Sequence, residues 1–404
     1  MISKIRCFNP GHEISVLLGA ENYTPSSNVQ KMVRDLSCLP LWYSLPSDLV
    51  LVDEIISPDF LSSLPNDLGP FARLVTENEL KTSDTSFLML EADPWGISPH
   101  SLHLFETLKL RCNLSVSIPA WKDEYLRLTG RQSAAECLER VRRQLPDMHI
   151  PSSPILCRSI EEVETCLLQQ ESSFVVKTPY SSSGRGLLWL PGGSLTDKDR
   201  RWIEGAIKKQ GMVTIERALD KVQDIAAEFY SDGQGNVRYE GLSVFGTTQR
   251  GAYDGNVLGS QDYLMGVFRS WGGERVYQQM LQALTNALTI MYGNVYRGHL
   301  GVDMLVYKNE DGGYAIHPCL EINMRYTMGM LSVHLFRRYI CSQSIGEFKI
   351  TYEGTNGEAY ECHRRMKETY PVTLRDGKIE KGYLSLCPVT KETKFRAYIN
   401  VREK

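Results

Sequence analysis

One stretch constrains this chain more than any other: Gly301-Val-Asp-Met-Leu-Val-Tyr-Lys-Asn-Glu-Asp-Gly-Gly-Tyr-Ala-Ile-His-Pro-Cys-Leu-Glu-Ile-Asn-Met-Arg325. Two apolar runs bracket a polar Asn-Glu-Asp-Gly-Gly turn, the pattern of an antiparallel hairpin. With the turn's symmetry point on Gly312, Asp303 falls directly opposite Glu321. Facing side chains stand roughly 5 Å apart at Cβ, so two carboxylates converge. Two bare carboxylates that close repel each other; one must hold a proton or a cation must lie between them. Strand side chains alternate, which puts Glu321, Asn323 and Arg325 on one face. Hard oxygen donors without neighbouring Cys or His suit Mg²⁺, which binds through one or two carboxylates plus substrate phosphates. A solvent-facing strand would also alternate, but residues 315–320 are largely apolar and fit that alternative poorly.

Composition narrows the class of ligand. A chain of 404 residues is long enough for two to three domains. Its 45 Lys+Arg and 48 Asp+Glu leave a net charge of −3, so no global field draws in nucleic acid or an anionic membrane. Any anion must be held locally. The ten cysteines are scattered without a Cys-x-x-Cys pair, as expected of reduced core thiols. The first residues lack the apolar stretch of a secretory signal, and no window is long and apolar enough to span a bilayer. A cytoplasmic protein is expected.

Residues 1–120 alternate short apolar runs with turns and helical patterns. Residues 49–53 and 87–91 read as buried strands, and 101–110 as a helix. In this α/β region Asn9-Pro-Gly-His-Glu13 and Asp93-Pro-Trp-Gly96 each follow a candidate strand, where open α/β sheets place ligand loops. The following residues read as α+β. Helices are expected over 129–141, 159–170, 197–210 and 277–292. Strands are expected at 174–177, 186–190, 212–216, 225–230 and 241–245, and short strands such as 395–401 close the chain.

Two further constellations bear on phosphate and base. In Phe174-Val-Val-Lys-Thr-Pro-Tyr-Ser-Ser-Ser-Gly-Arg-Gly-Leu187, a lysine ends an apolar strand and small residues follow. An ammonium and several backbone N–H groups can thereby surround a polyphosphate. It is not a Walker loop, because no Gly-Lys-Ser/Thr follows. In Val213-Thr-Ile-Glu-Arg-Ala-Leu-Asp-Lys-Val-Gln-Asp224 a strand ends in a carboxylate and a short connector. Such an edge can meet adenine, with Asp220 or Asp224 available to ribose hydroxyls.

Taken in order, the three segments resemble the ATP-grasp superfamily of ligases over about residues 121–345. The resemblance implies an α/β and α+β chain: an ATP-grasp fold behind an N-terminal Rossmann-like (pre-ATP-grasp) domain. Its expected parts are 1–120, ATP-grasp lobes 121–215 and 216–345, and an extension 346–404. It implies that Lys177 contacts ATP phosphates, and that the loop with Ser182, Ser183, Gly184 and Gly186 closes over them. Glu216, with the backbone of Arg217 and Leu219, would frame adenine, and Asp224 is the candidate ribose acid. Arg131 takes the place where the family usually carries a lysine. Asp303, Glu321 and Asn323 would hold Mg²⁺, with Mn²⁺ as a substitute, and Arg325 would stabilise the transferring phosphoryl group.

The chemistry so implied is attack of a substrate carboxylate on the γ-phosphate of ATP. An acyl phosphate and ADP result, and an amine or similar nucleophile then displaces phosphate. A small-molecule kinase or a non-catalytic nucleotide-binding protein are the alternatives. The expected partners are therefore a small carboxylate and an amine, with homo-oligomerisation left open. No glutaminase segment is evident, so the amine is expected as a free molecule. His299 and His317 are the candidate general bases. Asn9, His12, Glu13 and the loop 247–256 with Arg250 are the candidates for substrate recognition.

Overall fold

The structure is a computed structural model and describes residues 2–54, 58–82, 89–168, 172–181, 184, 186–248 and 251–404. The chain divides into two compact units. The first comprises Met1–Lys122, Asp254–Leu264 and Met328–Lys404; the second comprises Asp123–Tyr253 and Met265–Thr327.

The first unit holds a five-stranded parallel sheet. Its spatial order is Arg73–Val75, Leu49–Leu51, Ser3–Cys7, Met89–Pro94, Ser115–Ser117. Ile5, Leu49, Val75, Leu90, Ala92 and Val116 join Phe105 and Leu108 of the helix Pro99–Arg111 in one core. The Ser98–Ser101 capping box fixes where that helix begins. The order reverses between the adjacent strands Ser3–Cys7 and Met89–Pro94, the switch point at which doubly wound sheets open a crevice. The loops leaving those two strands are clipped together there: Asn9 Nδ2 donates to the Gly96 carbonyl at 2.7 Å, and the Gly96 N–H donates to Asn9 Oδ1 at 3.0 Å. His12 and Glu13 lie buried beside them.

The C-terminal residues belong to the same unit. Strands Ser344–Tyr352, Phe395–Glu403 and Lys378–Ser385 pair antiparallel. Asp35 accepts from the N–H groups of Lys394 and Phe395 at 2.7 and 3.0 Å, and Trp42 Nε1 donates to the Leu386 carbonyl at 2.7 Å. These bonds tie the chain's last sixty residues to its first fifty.

The second unit is built of two antiparallel layers. The smaller sheet runs Ile155–Cys157, Val213–Arg217, Phe174–Lys177, Leu187–Leu190. The helices Ile160–Leu168 and Asp197–Gln210 bury Val163, Leu167, Ile203 and Ala206 against it. The second of these helices begins at a Thr196–Asp199 capping box and ends at the left-handed Gly211. The larger layer runs Tyr314–Asn323, Arg297–Lys308, Asp220–Asp232, Val237–Thr247. The helix Glu274–Tyr292 packs on it, turning Tyr277, Met280, Leu284, Leu288 and Met291 inward at helical spacing.

The long hairpin differs from a regular ladder in one respect. Asp303 pairs with Glu321, but Leu305 pairs with His317 and Lys308 with Tyr314, so the turn is centred on Asp311 rather than Gly312. Pro318, Cys319 and Leu320 stand opposite Met304 alone. Pro318 has no N–H to give the ladder, and the extra residues bulge out there.

All ten cysteines are free thiols. Among the described residues, no helix is long and apolar enough to cross a membrane.

Candidate active site

The second unit gathers the chemistry. Asp303, on Arg297–Lys308, faces Glu321 across the ladder, and Gly301 faces Asn323 two residues along. Arg325 Nη2 donates to Asn323 Oδ1 at 2.8 Å, and its Nη1 donates to the Tyr326 carbonyl at 3.0 Å. Burial raises the Asp303 carboxyl above its ordinary range; the Glu321 charge adds to this, while Arg325 and a hydrogen bond from Asn323 oppose it. A carboxyl pushed up in this way is one that a cation would stabilise.

Arg131 stands just before the helix Gln132–Gln144 and is buried. Its Nη2 lies 3.1 Å from Glu321 Oε1 and donates to Ser181 Oγ at 3.4 Å, while its Nε donates to the Thr178 carbonyl at 3.0 Å. One guanidinium thus joins the acid hairpin to the start of the Ser/Gly loop. Lys177 ends its strand buried and forms an ion pair with Glu216 of the neighbouring strand. Val175 pairs with Glu216 and Lys177 with Thr214, so lysine and glutamate are diagonal on one face.

At the loop, Phe174–Lys177 and Leu187–Leu190 pair antiparallel, and the Thr178 N–H donates to the Gly186 carbonyl at 2.9 Å. A side chain on Gly186 would collide with Thr178 Oγ1 and Ser181 Oγ; Gly184 has φ +72°, a conformation that favours glycine. Ser182, Ser183, Arg185 and Arg250 lie outside the described residues.

The remaining candidates fall around this set. Leu219 packs with Leu305, Tyr307, Ala315 and Leu320 in an apolar cluster. Asp224 accepts from Thr247 Oγ1 at 2.7 Å and from Lys221 Nζ at 2.8 Å, and its charge is felt at Asp303. The Arg217 guanidinium is not directed toward the acids: it pairs at 2.6 Å with the exposed Glu310 of the turn. His299 is packed between the rings of Tyr230 and Tyr326, at 5.1 and 4.1 Å.

Glu228 was not among the candidates. It is 1% exposed and pairs with Gly301, one strand from the acids, where the strand on its other side, Val237–Thr247, bulges at Glu240. Its Oε2 accepts from Thr327 Oγ1 at 2.8 Å. Burial pushes its carboxyl up to about 8; the Thr327 hydroxyl and Arg325 oppose this and the Asp303 charge adds to it. The sequence signal was a lone acid inside Ile225-Ala-Ala-Glu-Phe-Tyr230, a run otherwise fit for burial.

Among the described residues, no three His, Cys, Asp or Glu side chains form a group that would enclose a metal by themselves. The fit is to a cation held on one side by two carboxylates and an amide oxygen, with positions left for phosphate oxygens, which is the habit of Mg²⁺.

No protein-family model matches the sequence, and no curated protein is significantly similar to it. Among solved structures, it is similar to the biotin carboxylase–β-γ-ATP complex from Campylobacter jejuni. That likeness has a TM-score of 0.52 at 12% identity and covers 100% of this chain and 88% of the other. It is also similar to the biotin carboxylase domain dimer of 2-oxoglutarate carboxylase from Hydrogenobacter thermophilus, in complex with MgADP, ADP and bicarbonate. There the TM-score is 0.50 at 14% identity, over 99% of this chain and 86% of the other. At such identities the likeness is one of fold. The fold is that of the ATP-grasp enzymes.

Proposed function

We propose that this protein is an ATP-dependent ligase that activates a small carboxylate as its acyl phosphate, forms ADP, and joins the acyl group to an amine or similar nucleophile. The observation that carries the reading is the facing pair Asp303 and Glu321, with Asn323 and Arg325 on the same hairpin and Arg131 bridging to the loop after Lys177. Both structural neighbours named above are carboxylases, one with an ATP complex and one with MgADP and bicarbonate. Their likeness in fold supports nucleotide use by this chain.

Transfer of a phosphoryl group to a carboxylate brings two anions together, so the protein's work is positioning and charge neutralisation. Mg²⁺ held by Asp303, Glu321 and Asn323 would supply charge stabilisation at the phosphates. Lys177 is held by Glu216 and Arg131 by Glu321. These cations are therefore already oriented by fixed acids and need only exchange partners when phosphate oxygens arrive. Arg325, held at 2.8 Å by Asn323, would meet the charge that develops on the phosphoryl group. Leu219, Leu305 and Tyr307 offer an apolar wall for a base, and Glu216 offers the polar edge.

The test is phosphate release from Mg-ATP in the presence of pooled carboxylates and amines. ADP and phosphate should form only when both pools are present. Formation of AMP, or full turnover with no amine, would overturn the acyl phosphate route.

A further inference from the structure

His317 is the fourth residue of the strand Tyr314–Asn323, only 2% exposed, and pairs with Leu305 just before the Pro318 bulge. The bulge turns the Cys319 N–H back onto the ring, where it donates to Nδ1 at 3.3 Å. That bond fixes the tautomer. A nitrogen that accepts a backbone N–H carries no proton, so in a neutral ring the proton resides on Nε2. Burial holds the ring neutral, with its pKa lowered to about 4; the Glu216 charge opposes this and the Lys177 charge adds to it. The ring therefore lies in the field of both members of the Lys177–Glu216 pair, on the strand that also carries Glu321 and Asn323. The bond to Nδ1 is the ring's hydrogen bond from another residue, and no side chain bonds to it among the described residues. A donor of fixed direction is thus set beside an ion pair, and Glu216 is already engaged by Lys177.

We propose that His317 donates a hydrogen bond from Nε2 to the bound nucleotide, to a proton-free acceptor that is either a ring nitrogen of the base or an oxygen of the phosphate chain. This rests on the nucleotide-binding reading above and names a residue through which the site distinguishes its ligand. A neutral donor suits that position: it adds a directed contact without a further positive charge beside Lys177.

The experiment is calorimetric titration of the full chain with Mg-AMP-PNP, with steady-state kinetics on Mg-ATP alongside. His317→Leu removes the donor and should weaken binding by about tenfold, raising KM for ATP by a similar factor while kcat falls by less than about threefold. His317→Gln restores an N–H near the position of Nε2 and should recover most of the loss. If the leucine variant does not fold, His317→Asn keeps a polar group near Nδ1 without the reach of Nε2, and the same loss is expected of it. Two ligands locate the acceptor. If it is the base, adenosine binds wild type more tightly than the leucine variant, and where the acceptor is N7 that difference disappears with 7-deaza-ATP. If it is a phosphate, adenosine binds both proteins equally, and 7-deaza-ATP binds each protein as ATP does. Equal affinity of wild type and the leucine and asparagine variants for AMP-PNP overturns the role of His317. Absence of AMP-PNP binding by wild type itself, with the protein folded, overturns the nucleotide reading and the proposal together.

Discussion

The two units treat buried charge in opposite ways. In the first, Arg6 is 6% exposed and its guanidinium is saturated by acids: Nε and Nη2 donate to Asp48 at 3.3 and 3.2 Å, and Nη1 donates to Asp93 at 2.5 Å. Asp48 also accepts from the N–H groups of Lys4 and Leu45, both at 2.9 Å. Charge and hydrogen-bonding capacity close on each other, which is how a fold tolerates ions in its interior. In the second unit acids face acids. Asp303 faces Glu321, Glu228 lies near Asp303, and burial raises both Asp303 and Glu228. The first arrangement is balanced by its own side chains; in the second, Arg131 and Arg325 stand among three acids and burial still raises two of them, so a cation would add the charge that is short. The contrast separates a charged cluster that holds a fold together from one that a ligand completes.

The largest effect that would break this comparison is on activity. Glu321→Ala should lower ATP turnover by about a thousandfold or more, because it removes a proposed cation ligand and the partner of Arg131. The fold should persist, as the side chain is partly exposed. Turnover measured by ADP formation, with circular dichroism as the control, checks it; unchanged turnover removes the metal assignment.

How far such a site can be read from sequence depends on the range of the interactions that build it. The pairing of Asp303 with Glu321 is local, set by alternation across a short turn, and it was legible even though the turn is centred on Asp311 and a bulge at Pro318 restores the register. The Lys177 strand and its return, Leu187–Leu190, were legible for the same reason. Glu228 was not, because the ladder to Gly301 spans more than seventy residues and nothing in the strand's own sequence says which neighbour its acid will meet. The C-terminal strand at 395–401 was legible as a strand, but the partners of the C-terminal strands were hidden in a similar way. Their short runs pair with each other and are anchored by Asp35 and Trp42, some 350 residues earlier. Doubly wound order in the first unit follows from crossovers that sequence alone suggests only as a class.

On the structural side of the comparison, Asp48→Asn should cost about 3–5 kcal/mol of stability, since it leaves Arg6 short of a buried counter-charge. Denaturant unfolding would measure it. A cost below about 1 kcal/mol would show that the Arg6 cluster is not what secures the first unit.

Of intermediate size is Arg131→Lys. A point charge keeps attraction for Glu321 and for phosphate but loses the fork that also holds Thr178 and Ser181. KM for ATP should rise about tenfold, with a smaller change in kcat. Steady-state kinetics with ATP varied would check it, and an unchanged KM would mean that lysine serves equally well.

The smallest effect sharpens the contrast through its sign. Glu228 has a folded pKa raised to about 8, so the native state keeps a proton that the unfolded chain gives up in the ordinary carboxylate range. Stability from this group is fully present at acid pH, falls as pH rises from that range through about 8, and is level beyond. Glu228→Gln is a neutral isostere whose carbonyl can still accept from Thr327. Its thermal stability should match wild type near pH 5 and exceed it by on the order of 1–3 kcal/mol at pH 8.5. Asp48→Asn, by contrast, destabilises because its carboxylate is the form the fold needs. Two amide substitutions of buried acids, one in each unit, are thus expected to move stability in opposite directions. If Glu228→Gln is destabilising at pH 8.5, the ionised carboxylate is itself required by the second unit, and the distinction between closed and open charge clusters fails at that residue.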